Sequence, residues 1–205
     1  MKKIIFTCMM ILCIGLLSGC SHKTDVDVST VFIEKSGSVI SVDTDVLDKD
    51  YYSAEELESY IKEQVEDYTA ANGETVEMTS FDVEDNWARL KLEYDSYEDY
   101  AKFNGIELFV GTVVTAQAEG YDFDTEFYDV SADEEEGNAK TLSKDEVLAD
   151  DDSKVAVIRA NVNVQVPGTI LYVSASNVKT ESKDTVSITG EGANEEAELT
   201  YIIYK

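Results

Sequence analysis

The sequence predicts an α+β fold: antiparallel β hairpins with one long helix and two or three short helices packed on one face. Three observations carry that prediction. Short runs rich in β-branched residues come in pairs joined by turn residues, as in 31–35 and 38–44 around Ser36-Gly37. Ser53-Ala54-Glu55-Glu56 and the stretch from Ser96 to Asp99 set a serine where it caps a helix, with an acidic residue three positions on. Between and beyond them, apolar residues recur with the periods of a half-buried strand or an amphipathic helix.

The chain opens with an export signal rather than with the domain. Lys2 and Lys3 precede an apolar run over 4–17 that is interrupted by Thr7 and Gly15. The run falls short of the roughly 20 residues that a spanning helix needs. Leu17-Ser18-Gly19-Cys20 then looks like the lipobox of bacterial lipoproteins, a branched residue and two small ones before a cysteine. Cleavage is expected between Gly19 and Cys20, with a diacylglyceryl group on the Cys20 thiol. Two acyl chains, at about 0.8 kcal/mol per buried CH₂, hold a protein to a membrane durably. Residues 1–19 are thus a signal peptide, 20–29 a lipidated cysteine and tether, and 30–205 a single extracytoplasmic domain at the cell membrane. Cys8 and Cys13 leave with the signal, so the domain contains no thiol for a disulfide or a cysteine nucleophile. His22, the sequence's one histidine, lies in the tether, which removes imidazole chemistry from the domain.

Charge excludes one class of partner. The full chain has a formal charge of −27, and losing Lys2 and Lys3 with the signal takes it to −29. Nucleic acid needs a basic patch and is not a partner of such a chain. Anionic lipid favours Lys and Arg, so the domain is not expected to lie flat on it.

Along the domain, Leu57, Tyr60, Ile61, Val65 and Tyr68 recur at helical spacing, and Asn72-Gly73 closes that helix. A second hairpin joins 76–83 to 87–94 through Glu84-Asp85-Asn86. Ala88, Leu90, Leu92 and Tyr94 share its inner face; Trp87, Arg89, Lys91 and Glu93 share the wet one. A short helix from Ser96 ends at Asn104-Gly105. A strand over 106–110, a short helix over 112–119 and an acidic loop over 121–139 follow, then a helical turn or two within 143–149. Residues 154–166 read as one long strand with a bulge between Ile158 and Val162. Pro167-Gly168 fits a type II turn that returns 169–173 antiparallel to it. Residues 185–189 and 197–204 read as a last pair.

The candidate sites are carboxylates and aromatics. Asp122, Asp124, Glu126 and Asp129 alternate on one loop, and hard oxygen ligands of that kind suit calcium. An EF-hand loop requires glycine at its sixth position and glutamate at its twelfth; counted from Asp122 these are Phe127 and Asp133, so that motif fails and an acidic surface loop is the plainer reading. Asp43, Asp45, Asp48 and Asp50 form a weaker set. Trp87 is placed either to stack on a sugar or to sit exposed at an edge. Tyr51, Tyr52, Tyr94, Tyr97, Tyr100, Phe103 and Phe109 are core residues or, for a minority, walls of a ligand groove. No catalytic residues, cofactor fingerprint or zinc signature are identified.

Asp50-Tyr51-Tyr52, Glu98-Asp99-Tyr100-Ala101 with Phe103-Asn104-Gly105, Gly120-Tyr121-Asp122-Phe123, and residues 162–173 around Val166-Pro167-Gly168 resemble a family of uncharacterised lipoproteins from low-GC Gram-positive bacteria. The resemblance implies an envelope location and one domain, and no activity. The function expected is a non-enzymatic binding or interaction module of the cell envelope, facing an unknown envelope protein, polymer or small ligand. Its groove or aromatic patch is expected on the side away from the tether. The alternatives are a carboxylate-only glycan hydrolase and a calcium-dependent scaffold.

Overall fold

Strand pairing sets the architecture. The computed structural model describes residues 24–49, 51–130, 141–149, 152–174, 178–190 and 197–205. Gly19, Cys20, His22, Asp50 and Asp133 lie outside the described residues. The class is the α+β class expected from the sequence. One sheet contains β1 (Thr30–Ile33), β2 (Val39–Val46), β3 (Val76–Glu84), β4 (Trp87–Tyr94), β9 (Asn163–Gln165), β11 (Val178–Ser182) and β12 (Thr185–Ile188), in the order β11-β12-β9-β1-β2-β4-β3. The second contains β5 (Leu108–Thr112), β6 (Phe127–Asp129), β7 (Thr141–Leu142), β8 (Lys154–Ile158), β10 (Ile170–Ser174) and β13 (Thr200–Tyr204), in the order β5-β8-β13-β10-β6-β7. The helices are α1 (Ala54–Asn72), α2 (Tyr97–Asn104), α3 (Val113–Ala118) and α4 (Lys144–Leu148). None of the described helices is long and apolar enough to cross a membrane.

The two N-terminal hairpins form where the turn residues place them. Gly37 closes the first at φ 94°, its N–H donating to the Glu34 carbonyl at 3.0 Å. Asp85 and Asn86 turn the second with φ of 50° and 67°, the pair of left-handed residues that a two-residue type I′ turn requires. Register then follows: Glu84 lies opposite Trp87 and Val76 opposite Tyr94, with a bulge between Met78 and Ser80. Both helix caps also hold, since the Ser53 and Ser96 hydroxyls accept from the Glu56 and Asp99 amides at 3.2 and 3.1 Å.

The C-terminal half departs from the expected hairpins. Residues 154–166 are not one bulged strand: β8 belongs to the second sheet, β9 to the first, and Arg159 to Val162 carry the chain between them. The expected return of 169–173 is also different, because β10 pairs with β13 and β6 rather than with β9. Likewise β12 pairs with β11 and β9, while β13 pairs with β8 and β10 in the other sheet. Period-two alternation reports which faces are buried, and both sheets bury such faces; it does not name the neighbour. Nor is Gly168 in a type II turn, for its φ is not positive. It is needed for close approach, since a Cβ there would stand 2.3 Å from the Lys205 carbonyl oxygen. Among the described strands, the one parallel pairing is β1 with β9.

The layers follow from the side chains. Val31, Ile33, Val39, Leu92 and Val164 of the first sheet pack against Ala156, Ile158, Val173 and Ile202 of the second. On the second sheet's other face, Val155, Val157, Tyr201, Ile203 and Phe127 of β6 are covered by Val113 and Ala116 of α3, Val147 of α4 and Phe123 of the loop before β6. The first sheet's outer face carries Arg89, Lys91 and Glu93 as the alternation predicts, although Phe32 and Val42 on that same face are also buried. Helix α1 leans on the β3 edge through Ile61, Val65 and Tyr68, none of them fully buried.

A polar clasp joins α1 to α2. The Asp99 carboxylate accepts from the hydroxyls of Ser96 at 2.6 Å, Thr75 at 2.9 Å and Tyr68 at 3.1 Å. Burial pushes the carboxyl's pKa up, but these hydrogen bonds and nearby Lys102 outweigh it and hold it below the usual value. A depressed carboxyl contributes stability above its unfolded pKa and loses it as pH falls through the folded one. Asp99→Asn should therefore lower stability by about 1–2 kcal/mol at pH 7. Thermal midpoints measured from pH 7 down to pH 2 should show the two proteins converging in acid.

Candidate functional site

The most distinctive surface is where the chain enters the domain. Ser29 is fixed against β2: its hydroxyl accepts from the Thr44 amide at 2.9 Å and donates to the Thr44 carbonyl at 3.3 Å. Just before it, Asp25 and Asp27 stand two residues apart, and the Arg89 guanidinium donates one nitrogen to each, at 2.9 and 3.1 Å. Both carboxylates are open to water, and pairs of that kind contribute about 0.2–1 kcal/mol. Their effect is to position the strap formed by residues 25–29 on the outer face of the first sheet.

That face carries Trp87. Cross-strand register sets Trp87 between Val46 on β2 and Glu84 on β3, and Arg89 between Thr44 and Asp82. An open groove of about 380 Å³ results, lined among others by Asp27, Asp82, Glu84, Asp85, Trp87 and Arg89. Trp87 is 54% exposed, Val46 37% and Val28 of the strap 56%. The exposed, same-face position of Trp87 beside Arg89 agrees with the alternation in the sequence. Asp27 is one of its walls, so this groove lies beside the strap.

The strap's docking was not read from the sequence, although a signal exists. Arg89 is one of two arginines in the chain, and carboxylates at i and i+2 of an extended segment match the two prongs of a guanidinium. A second groove, of about 530 Å³, runs between α1 and the β3 edge past Lys62, Val65, Glu66, Glu74 and Met78. The aromatics divide as their spacing implies. Tyr94, Tyr100 and Phe109 are buried, with Tyr94 raised to about 12, mainly by burial. Tyr51 and Tyr52 remain exposed and meet edge-to-face at 4.9 Å.

The acidic segment is more firmly held than a solvated loop. Phe123 and Phe127 are wholly buried and pack on Tyr201, with ring centroids 4.8 and 6.0 Å away. Phe123 adopts φ 54°, an unusual conformation for a bulky side chain. The carboxylates of Asp122, Asp124 and Glu126 alternate with these anchors at the surface, and Asp129 lies in β6. The Asp124 amide donates to Asp122 at 3.0 Å. Among the described residues, no three His, Cys, Asp or Glu side chains gather in a group able to hold a metal ion. In the weaker set, Ser41 donates to Asp43 at 2.9 Å and Lys49 pairs with Asp48 at 2.7 Å. Asp43 is exposed as a residue, yet neighbouring side chains desolvate its carboxyl and raise its pKa against the lowering effect of Ser41.

No family model, curated protein or solved structure matches the chain.

Two outcomes test the acidic segment. Phe127→Ala should cost about 3–5 kcal/mol by denaturant unfolding, whereas Glu126→Ala should change stability by less than about 0.5 kcal/mol. Excess calcium should raise the thermal midpoint no more than sodium chloride of matched ionic strength. A saturable rise would instead reveal a metal site, because a ligand specific to the folded state stabilises it by RT ln(1 + [L]/Kd).

Proposed function

We propose that this chain is a membrane-anchored extracytoplasmic lipoprotein, cut between Gly19 and Cys20 and held by a diacylglyceryl group on Cys20, which serves the cell envelope as a non-enzymatic binding module. The anchor is supported by the lipobox Leu17-Ser18-Gly19-Cys20 behind an apolar run, and by the likeness to uncharacterised lipoproteins of low-GC Gram-positive bacteria. The binding role rests on a single observation: the sequence's one tryptophan is 54% exposed over an open groove walled by Asp27, Asp82, Glu84 and Asp85.

That combination suits a positively charged group. Ammonium and guanidinium ions are attracted to the face of tryptophan, by about 0.5–2 kcal/mol depending on exposure. Carboxylates around the ring add charge complementarity and repel phosphate-rich ligands. A glycan hydrolase would draw on two carboxyls about 5–9 Å apart in a closed cleft, and the open Trp87 groove supports binding over that chemistry.

Cys20→Ala should move the protein from the membrane fraction to the soluble fraction of cells expressing it, and should end incorporation of labelled fatty acid. Full membrane retention of the variant would overturn the anchor.

A further inference from the structure

The fork between Arg89 and the strap limits how far the Trp87 groove stands from Cys20. Asp25 follows Cys20 by five residues, and an extended chain spans at most about 3.6 Å per residue. Whatever path those residues take, the Asp25 backbone lies within roughly 18 Å of the Cys20 backbone. A lipid on Cys20 puts that cysteine at the polar layer of the leaflet, which is roughly 5–8 Å deep on each side of the hydrocarbon. With the lipid in place, the end of the first sheet that carries the strap stays nearer the anchor than a longer tether would require.

We propose that this end of the first sheet docks on the membrane that anchors the chain, with the Trp87 groove receiving the ammonium group of a zwitterionic lipid headgroup. The inference rests on the lipid-anchor reading and names the partner of the groove described there. Three observations carry it. The tether keeps Asp25, and with it the groove that Arg89 ties to the strap, within roughly 18 Å of the lipidated cysteine. Trp87, Val46 and Val28 leave apolar surface exposed at this end, and tryptophan is the side chain most at home between headgroups and water. The charge around the ring also selects: with Arg89 paired to Asp27, the carboxylates of Asp82, Glu84 and Asp85 leave the groove net negative, so that it attracts an ammonium and repels bare phosphate. A strongly acidic domain is thereby kept from lying on purely anionic lipid, yet held where ammonium headgroups are mixed in.

Trp87 is the only tryptophan, so its emission reports on this groove alone. The lipidated full-length protein is incorporated into vesicles containing a small fraction of lipid with a nitroxide on its headgroup. One set is equal phosphatidylethanolamine and phosphatidylglycerol, the other phosphatidylglycerol alone. Quenching of Trp87 should be at least twofold greater with phosphatidylethanolamine, and the Asp82→Asn, Glu84→Gln, Asp85→Asn triple variant should abolish that difference. Arg89→Ala, which frees the strap, should weaken quenching in both sets. Equal quenching in the two lipid mixtures, or none in either, would overturn the inference. The mass of the same sample separates the two readings: without the diacylglyceryl adduct the anchor itself fails, and with the adduct but no selective quenching only the docking fails. Quenching relieved by soluble choline but indifferent to lipid composition would assign the groove to a dissolved ammonium ligand and also overturn the docking.

Discussion

Burial of both faces of the second sheet is the constraint on which the rest of the molecule depends. Its central strands β8 and β13 read Lys-Val-Ala-Val-Ile and Thr-Tyr-Ile-Ile-Tyr, and apart from Lys154 every one of those side chains is buried. A strand with no wet face needs a cover on each side. The first sheet supplies one cover, and α3, α4 and Phe123 supply the other, with Phe127 of β6 buried beneath them. The acidic stretch is therefore obliged to return to the sheet twice within five residues, which is why its carboxylates end up dispersed between anchors. The first sheet covers the second with one face and carries Trp87 and Arg89 on the other, beside the buried Phe32 and Val42.

Much of the N-terminal half was legible because its signals are local. Ser53 and Ser96 cap the helices they precede, Gly37 and the Asp85-Asn86 pair turn the hairpins they join, and the alternation over 87–94 places Trp87 and Arg89 on the wet face. The C-terminal half was illegible for an equally physical reason. Val155 and Val157 face one core, Ala156 and Ile158 another, and Val164 meets the second from the opposite sheet; an alternating pattern is the same in each case. A change of phase between Ile158 and Val162 was visible, but a bulge and a step from one layer to the other produce the same change. Strand β11 offered too few apolar residues to be noticed, and its register with β12 is set only by contact.

The site had a different kind of invisibility. Trp87 and Arg89 were placed correctly on their strand, but Asp25 and Asp27 are more than sixty positions away in sequence. Nothing periodic links them. Only the three-dimensional approach of the strap to β4 turns two ordinary aspartates and an arginine into a fork, and turns an exposed tryptophan into the wall of a groove. The same approach sets the Trp87 groove beside the strap.

The path of the chain from strap to sheet has a mechanical consequence. Any pull on the N-terminal side of the described chain enters the domain through this strap. Tension entering through residue 24 meets the two exposed ion pairs on Arg89 first, then the Ser29–Thr44 contacts. These yield singly and re-form cheaply, so they absorb small displacements. Beyond them the load reaches β1, an interior strand bonded to β2 on one side and β9 on the other. A pull along that strand strains both ladders together instead of peeling them one rung at a time. The weakest links thus lie outside the domain, and the core is shielded from forces that would first spend themselves on the strap.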